Sequence, residues 1–418
     1  MREDQDVAGE RLITLDALRG FAVMGILAMN IVAFAMPEMA YVTPRAYGGE
    51  TSADILAWLL GFILVDGKMR GLFSILFGAS LLLIVDRAEA SGRDAGSVHY
   101  RRMAWLAIFG LCHYLFIWWG DILFLYASVG CLAFGFRQWE ARRLIRWAIS
   151  LFTLGVLLTS LFFGSQLALA SFSDDPASPF AAAGQELRGE YAAIDDEVAD
   201  ELALYRGNYL PMLDARLDHA ANPFIGVLMS LLETLPLMML GMALFKNGFL
   251  TGAWTARDYR RVALFCLPPG LLFTLFVAWL QWDSGFDYIV TMNAFTAWAQ
   301  PGRLLMTIAY AALLVLLIDR ARGSAWLARV AAAGRAAFSN YLGTSILMTT
   351  IFYGYGLGLF GSVDRWTLYL LCVGAWGLML LWSKPWLERF HYGPLEWLWR
   401  SCARGSLQPM RRRRAPAQ

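Results

Sequence analysis

The stretch Trp105–Tyr126, WLAIFGLCHYLFIWWGDILFLY, decides how the chain is read. It is a hydrophobic helix, a very short turn and the start of a second hydrophobic helix. The turn, Trp118-Trp119-Gly120-Asp121, is too short to be a loop and predicts a tight helical hairpin. His113 sits in the first arm, about one and a half turns before the bend at ~1.5 Å rise per residue. Both arms read as membrane-spanning. A histidine and an aspartate near one membrane face are costly there, so they are functional candidates by default.

Composition agrees with a membrane protein. The chain has 418 residues, 58% of them hydrophobic and only 16% charged, with mean hydropathy +0.49. Ordinary soluble domains carry roughly 25% charged residues. Several apolar windows approach the ~20 residues that cross a bilayer, and in lipid such windows must be helices. The expected fold class is therefore all-α, a polytopic transmembrane bundle of about ten spans with interfacial helices. Its first partner is the lipid bilayer, and no nucleic-acid partner is expected; the net charge of +2 says little by itself. The five cysteines are scattered, with no CxxC or Cys/His cluster, which points to neither a disulfide framework nor a metal site. The first apolar run lacks a small-x-small exit, so a cleaved signal peptide is not expected.

Charge placement orients the bundle. Arginines at 87, 93, 101 and 102 follow the second span, and those at 137, 142, 143 and 146 follow the hairpin. Lys246 and Arg257–Arg261, then Arg320–Arg335, then Arg411–Arg414 form further basic stretches. The positive-inside rule places all of these, and both termini, in the cytoplasm. The spans then fall near 16–36, 70–86, 103–119, 121–136, 146–169, 224–245, 262–281, 302–319, 337–360 and 365–382. Segment 53–65 is short and reads as interfacial or re-entrant. Three regions follow: an N-terminal bundle (1–170), an acidic extracytoplasmic helical loop (171–222) and a C-terminal transmembrane part (223–418). Val198, Leu202 and Tyr205 give Asp195–Tyr209 helical spacing, as in a surface helix. The aromatic stretch 285–300 is expected at the outer interface. After Ser383, Phe390, Leu395, Trp397, Leu398 and Trp399 predict an amphipathic helix with a basic end, suited to anionic lipid.

Several stretches carry a resemblance. These are RLITLDALRGFAVMGILAMN, GKMRGLFSILFG, HYLFIWWGDILFLYA, LLETLPLMMLGMALFK, GRAAFSNYLGTSI and RFHYGPLEWLWR. In this order they resemble the YeiB-like bacterial inner-membrane family, whose C-terminal half is catalogued as domain of unknown function 418. The opening LDALRGFA also looks like a wider transmembrane acyltransferase superfamily that includes heparan-α-glucosaminide N-acetyltransferase. That likeness implies transfer of an acyl group, acetyl for example, from cytoplasmic acyl-CoA to an envelope-glycan or small-molecule acceptor. The heparan enzyme's histidine lies in the loop after its first span. Here loop 37–53 contains no histidine, so another base must serve.

His113 is the candidate base, with Asp121 its orienter. The alternatives are an interhelical hydrogen bond for His113 and a helix N-cap for Asp121. Glu233 sits inside a span with no basic neighbour in sequence. It is read as lining a substrate cavity or carrying a proton, with Arg303 or His113 as possible pairing partners. Arg303 and Trp119 are the other substrate-binding candidates. Arg19 reads as a contact for coenzyme A phosphates or as a snorkelling anchor beside Asp16. Asp66, Lys68 and Arg70 form a charged knot suited to an anionic substrate, and the glycines of 354–358 read as helix packing. The leading expectation is an acyltransferase with a cavity lined by His113, Asp121, Glu233 and Arg303. A proton-coupled transporter and a non-catalytic scaffold are its rivals. Exposed small-residue faces leave room for a homodimer.

Overall fold

Residues 2–412 are described by a computed structural model, and Arg413 and Arg414 of the basic tail lie outside them. Among the described residues eighteen α-helices follow one another. The first six are α1 (Arg2–Ala35), α2 (Glu38–Val42), α3 (Ser52–Leu60), α4 (Lys68–Ala90), α5 (Ala95–Phe116) and α6 (Leu123–Ala133). Next come α7 (Ala141–Ser171), α8 (Ala181–Ala192), α9 (Ile194–Arg206), α10 (Tyr209–Asp218), α11 (Asn222–Lys246) and α12 (Ala256–Asp283). The last are α13 (Tyr288–Asn293), α14 (Gln300–Arg320), α15 (Ala325–Arg335), α16 (Ala337–Phe352), α17 (Arg365–Arg389) and α18 (Pro394–Arg404). Among the described residues the only β pairing is an isolated bridge between Phe390 and Arg411. The protein is thus an all-helical membrane protein. Seven helical runs are long and apolar enough to cross a bilayer, and Leu123–Phe136 is a shorter apolar helix.

Burial sorts the helices into centre and rim. The apolar part of α1, Ile13–Ala35, is 83% buried, whereas α7 is only 17% buried. Leu161 on α7 and Phe265 on α12 stand 70% and 80% exposed. Apolar side chains that no protein covers face hydrocarbon at little cost, which suits a rim in lipid. Inside, α4 and α11 nearly touch. A Cβ on Gly78 would lie 2.0 Å from the Met238 carbonyl oxygen, and one on Gly241 would lie 1.9 Å from that of Ile75. Only glycine permits this approach, and small residues at helix contacts are the usual means of close packing in membranes.

The bundle has two chemically distinct ends. At one, Lys246 donates to the carbonyls of Arg137 and Trp139 at 2.7 and 2.8 Å, which gathers the basic connections. At the other, α8–α10 pack over the helix ends; Gly354 N donates to Tyr205 O at 2.8 Å, and Gly361 N to Ala35 O at 2.7 Å. Helix α9 turns Val198, Leu202 and Tyr205 inward, the face its spacing predicts.

Two helices are interrupted by π-helical turns. Helix α3 continues into a π-helical turn, Gly61–Val65, and the chain then kinks at Asp66-Gly67 into α4. Gly67 has φ +70°, and a Cβ there would lie 2.3 Å from Arg303 Cδ. Helix α13 likewise continues into the π-helical turn Ala294–Trp298 before α14. The two breaks meet: Gly67 lies against Arg303 and Gly71 against Thr307. Stretch 285–300 is therefore largely folded into the bundle, with Thr291 and Asn293 fully buried. Two predicted boundaries move. The helix expected over 337–360 ends at Phe352, because the glycines at 354, 356 and 358 build a turn. Helix α17 runs past Pro385 to Arg389, so the tail helix begins at Pro394.

Candidate functional site

The hairpin closes as expected, and its turn folds back on its own helix. His113 Nδ1 lies 2.9 Å from Asp121 Oδ1. The other carboxylate oxygen, Oδ2, accepts the Phe124 N–H at 2.8 Å. Asp121 is thus both orienter and helix cap. Trp118 stacks on Phe34 at 3.9 Å and donates to Ala33 O, which pins the turn to the end of α1. Both side chains of the pair are sealed, at 0% and 2% exposure. A carboxylate accepting from Nδ1–H leaves the lone pair on Nε2. That nitrogen is buried and without a hydrogen-bond partner. The Tyr341 ring lies 5.2 Å away, its hydroxyl donating to Gly120 O. Trp119, half-buried, packs on Trp118 at 5.6 Å.

A second polar centre forms where the broken helices meet. Asp66 accepts from Tyr41 at 2.6 Å and is ion-paired with Arg303. Arg303 also donates to Phe295 O at 2.6 Å, in the second π-helical turn. Lys68 is fully buried and donates to Phe62 O at 2.6 Å, in the first. A π-helical turn frees carbonyls from the usual ladder, and here the two cations take them. One face of this centre borders a cavity of ≈ 30 Å³, with Tyr41, Asp66, Arg365 and Tyr369 among its walls. That is space for a water-sized group rather than a substrate.

The partner of Glu233 is neither Arg303 nor His113 but Arg70, at 2.8 and 2.9 Å, with Gln300 Nε2 donating at 3.3 Å. The reason is packing: α4 lies against both α11 and α14, which sets residue 70 beside 233 and residue 66, just before α4, beside 303. The expected cavity lined by His113, Asp121, Glu233 and Arg303 is therefore divided. His113 and Asp121 form one sealed centre, and Glu233 and Arg303 belong to the charged one. Tyr126 stands on the charged side, its hydroxyl 2.9 Å from Ser74 Oγ and 3.3 Å from Arg70 O. Arg19 lies at the basic end, half-buried, donating to Asp16 at 2.9 Å and to Ser80 at 3.0 Å. The five cysteines are free. Among the described residues no group of three or more His, Cys, Asp or Glu side chains converges on a metal-sized site.

Two important residues carry no local sequence signal. Arg365 opens α17, is 1% exposed, and donates to the carbonyls of Ala40, Tyr47 and Gly48 at 2.8–2.9 Å. It latches loop 36–50 over the charged centre. Glu396 of α18 accepts from the Phe338 and Ser339 N–H groups at 2.7 and 3.0 Å and from the Ser339 hydroxyl at 2.6 Å. It therefore caps the free N-terminus of α16 from another helix. Burial raises its carboxyl above the usual range, against the pull of those donors. This contact docks the tail helix on protein. Trp399 adds a bond to Arg102 O at 2.9 Å.

Comparison with known proteins gives a family and no activity. Residues 244–406 match the family model described as protein of unknown function, DUF418. The uncharacterized protein YeiB of Escherichia coli (strain K12) is 32% identical over 400 residues, covering 94% of this chain and 96% of that protein. The uncharacterized protein YxaH of Bacillus subtilis (strain 168) is 29% identical, covering 97% of each. An uncharacterized 39.9 kDa protein of Bacillus acidopullulyticus, from the amylase 3′ region, is 25% identical over 94% of this chain and 93% of that protein. No solved structure matches the chain significantly. With a relative this similar along nearly its whole length, the chain belongs to the YeiB-like family of membrane proteins that carry the DUF418 region.

Proposed function

We propose that this protein is an acyltransferase embedded in the bacterial inner membrane. It crosses the bilayer ten times, with both termini and the basic end in the cytoplasm. Seven crossings are the long apolar runs, and the other three are α5, α6 and α16. The single observation that carries the chemistry is the unpartnered Nε2 of His113, on a ring oriented by Asp121 at 2.9 Å. A buried imidazole nitrogen without a partner costs free energy, on the order of 1–3 kcal/mol for an unmet polar group. A base awaiting its substrate explains that cost.

In this mechanism Nε2 takes the proton from an acceptor hydroxyl or amine. The freed electron pair attacks the thioester carbonyl of an acyl-CoA, and the C–O or C–N bond forms as the C–S bond breaks. The imidazolium, stabilised by Asp121, returns the proton to the departing thiolate. Arg19 meets the donor's phosphates at the basic end. Because His113 is sealed, turn 117–122 must open for the substrates to reach it. The acceptor is an envelope glycan or a small molecule. Stabilisation by acetyl-CoA tests the donor site. Saturating donor, at ~100 times its dissociation constant, adds about 2.7 kcal/mol. Arg19→Ala weakens that gain, and no gain with any acyl-CoA would remove the donor.

Transport is the second reading, supported by the two broken helices. Interrupted helices with charged residues at the break commonly line substrate paths in transporters. Glu233 supports it less, because Arg70 already holds its carboxylate. Flux in proteoliposomes driven by a pH gradient, and lost in Glu233→Gln, would favour transport over acyl transfer.

A further inference from the structure

A further cavity lies away from both polar centres. It sits at the basic end, between the α4–α5 connection and α18, and encloses ≈ 370 Å³. Six arginines line it: Arg87, Arg93, Arg101, Arg102, Arg400 and Arg404. One carboxylate, Asp94, lies in the same wall, and it is engaged as the cap of α5 through Ser97 N at 2.6 Å. Among the described residues none of the six arginines has a carboxylate within ion-pairing distance.

The arrangement is layered. Arg102 and Arg400 are half-buried at the floor, and the other four are exposed around the mouth. Arg102 lies over the Trp399 ring at 4.1 Å, and its Nε is buried without a partner. Arg400 lies over the Tyr392 ring at 4.5 Å. These contacts fix two guanidinium planes while leaving N–H groups free. Burial holds Arg400 below its ordinary value; Tyr392 opposes this, and the charges of Arg404 and Arg87 add to it. Like charges gathered this closely repel one another unless an anion joins them, and a guanidinium fork matches phosphate oxygens in pairs.

We propose that this pocket is a binding site for a ligand bearing two or more clustered phosphate groups. The chemistry is shared by a soluble diphosphate compound and by the two-phosphate headgroup of a cardiolipin-type phospholipid in the adjoining leaflet. The proposal goes beyond the acyl-transfer reading and does not depend on it.

The test measures the melting temperature of the full chain in nanodiscs. Inorganic pyrophosphate is added to phosphatidylcholine discs. In a separate arm cardiolipin is included in the discs without pyrophosphate. Stabilisation by pyrophosphate of about 2 °C or more, lost in the Arg400→Gln/Arg404→Gln double variant, supports the site with a soluble ligand. Stabilisation by cardiolipin alone, with the same loss, supports it with a lipid headgroup. Arg93→Gln, a change at the exposed rim, weakens either effect should the double variant fail to fold. Arg257→Gln, on another basic connection, leaves it intact. No stabilisation in either arm, or equal loss in Arg257→Gln, overturns the proposal. Neither arm contains an acyl donor, so the result is separable from that for acyl transfer.

Discussion

Arg70 holds Glu233 across the bundle, one guanidinium nitrogen lying 2.8 Å and 2.9 Å from the two carboxylate oxygens. The pair joins α4 to α11 about two turns from the glycines that let those helices touch. Breaking a buried ion pair costs ~3–5 kcal/mol, because the remaining charge is stranded. Here the side chains are 31% and 17% exposed, so a loss of about 2 kcal/mol is expected. Arg70→Met should therefore lower thermal stability, and Glu233→Leu added to it should restore most of the loss. A double variant no better than the single one would show that the pair does not act as a unit.

The Glu396 contact predicts how the tail is held. Glu396→Ala should cost about 1–2 kcal/mol, the range for losing a helix cap. The cost should appear at α18 first, since that contact docks it. With the other four cysteines replaced, maleimide labelling of the half-buried Cys402 should rise several-fold in Glu396→Ala and less in Glu396→Gln. Unchanged labelling would mean that Trp399 and its neighbours hold the helix alone.

The acidic helices at the opposite end predict a pH dependence. Glu201 is pushed up to about 7, chiefly by burial and also by the charges of Glu38 and Glu197, against the hydrogen bond from Glu38 N at 2.8 Å. Glu38 is raised as well, first by burial and then by Glu197. The folded form thus binds more protons than the unfolded chain between the ordinary carboxylate range and about pH 7. Stability of this region is full at the acid side of that window and falls as pH rises through it. Hydrogen exchange over residues 194–206 should quicken between about pH 5 and 7.5, after correction for intrinsic rates. Glu201→Gln should remove most of the change. Exchange that slows over this range would contradict the assignment.

The hairpin was legible because its signals are local. Trp118-Trp119-Gly120-Asp121 leaves no room for a loop, and an aspartate opening a helix has a cap to make. That same shortness brings His113 and Asp121 together, eight residues apart. The acidic surface helix was legible from the spacing of Val198, Leu202 and Tyr205. What stayed hidden is set by tertiary neighbours. Arg70 and Glu233 are 163 residues apart, and nothing near either one names the other. The arginine pocket draws on residues 87–102, which read as an ordinary basic connection, and on Arg400 and Arg404, which gain their meaning only when α18 folds onto α5. The aromatics of stretch 285–300 suggest a membrane surface and say nothing of its packing. Its π-helical turn, and the Arg303 that turn receives, depend on Asp66 of the other broken helix.

The central claim rests on His113, and one measurement tests it directly. The protein is reconstituted in nanodiscs and supplied with labelled acetyl-CoA and with envelope-glycan and small-molecule acceptors. Release of free coenzyme A and transfer of the label are followed together. Removing a positioned general base typically costs ~10²–10⁴-fold in rate. The expected result is transfer by the native protein, lowered by at least about 100-fold in His113→Ala. Asp121→Asn should fall between the two, and the melting temperature of each variant shows that it is folded. Undiminished transfer by a folded His113→Ala protein, or no transfer by the native protein with any acceptor, would contradict the account.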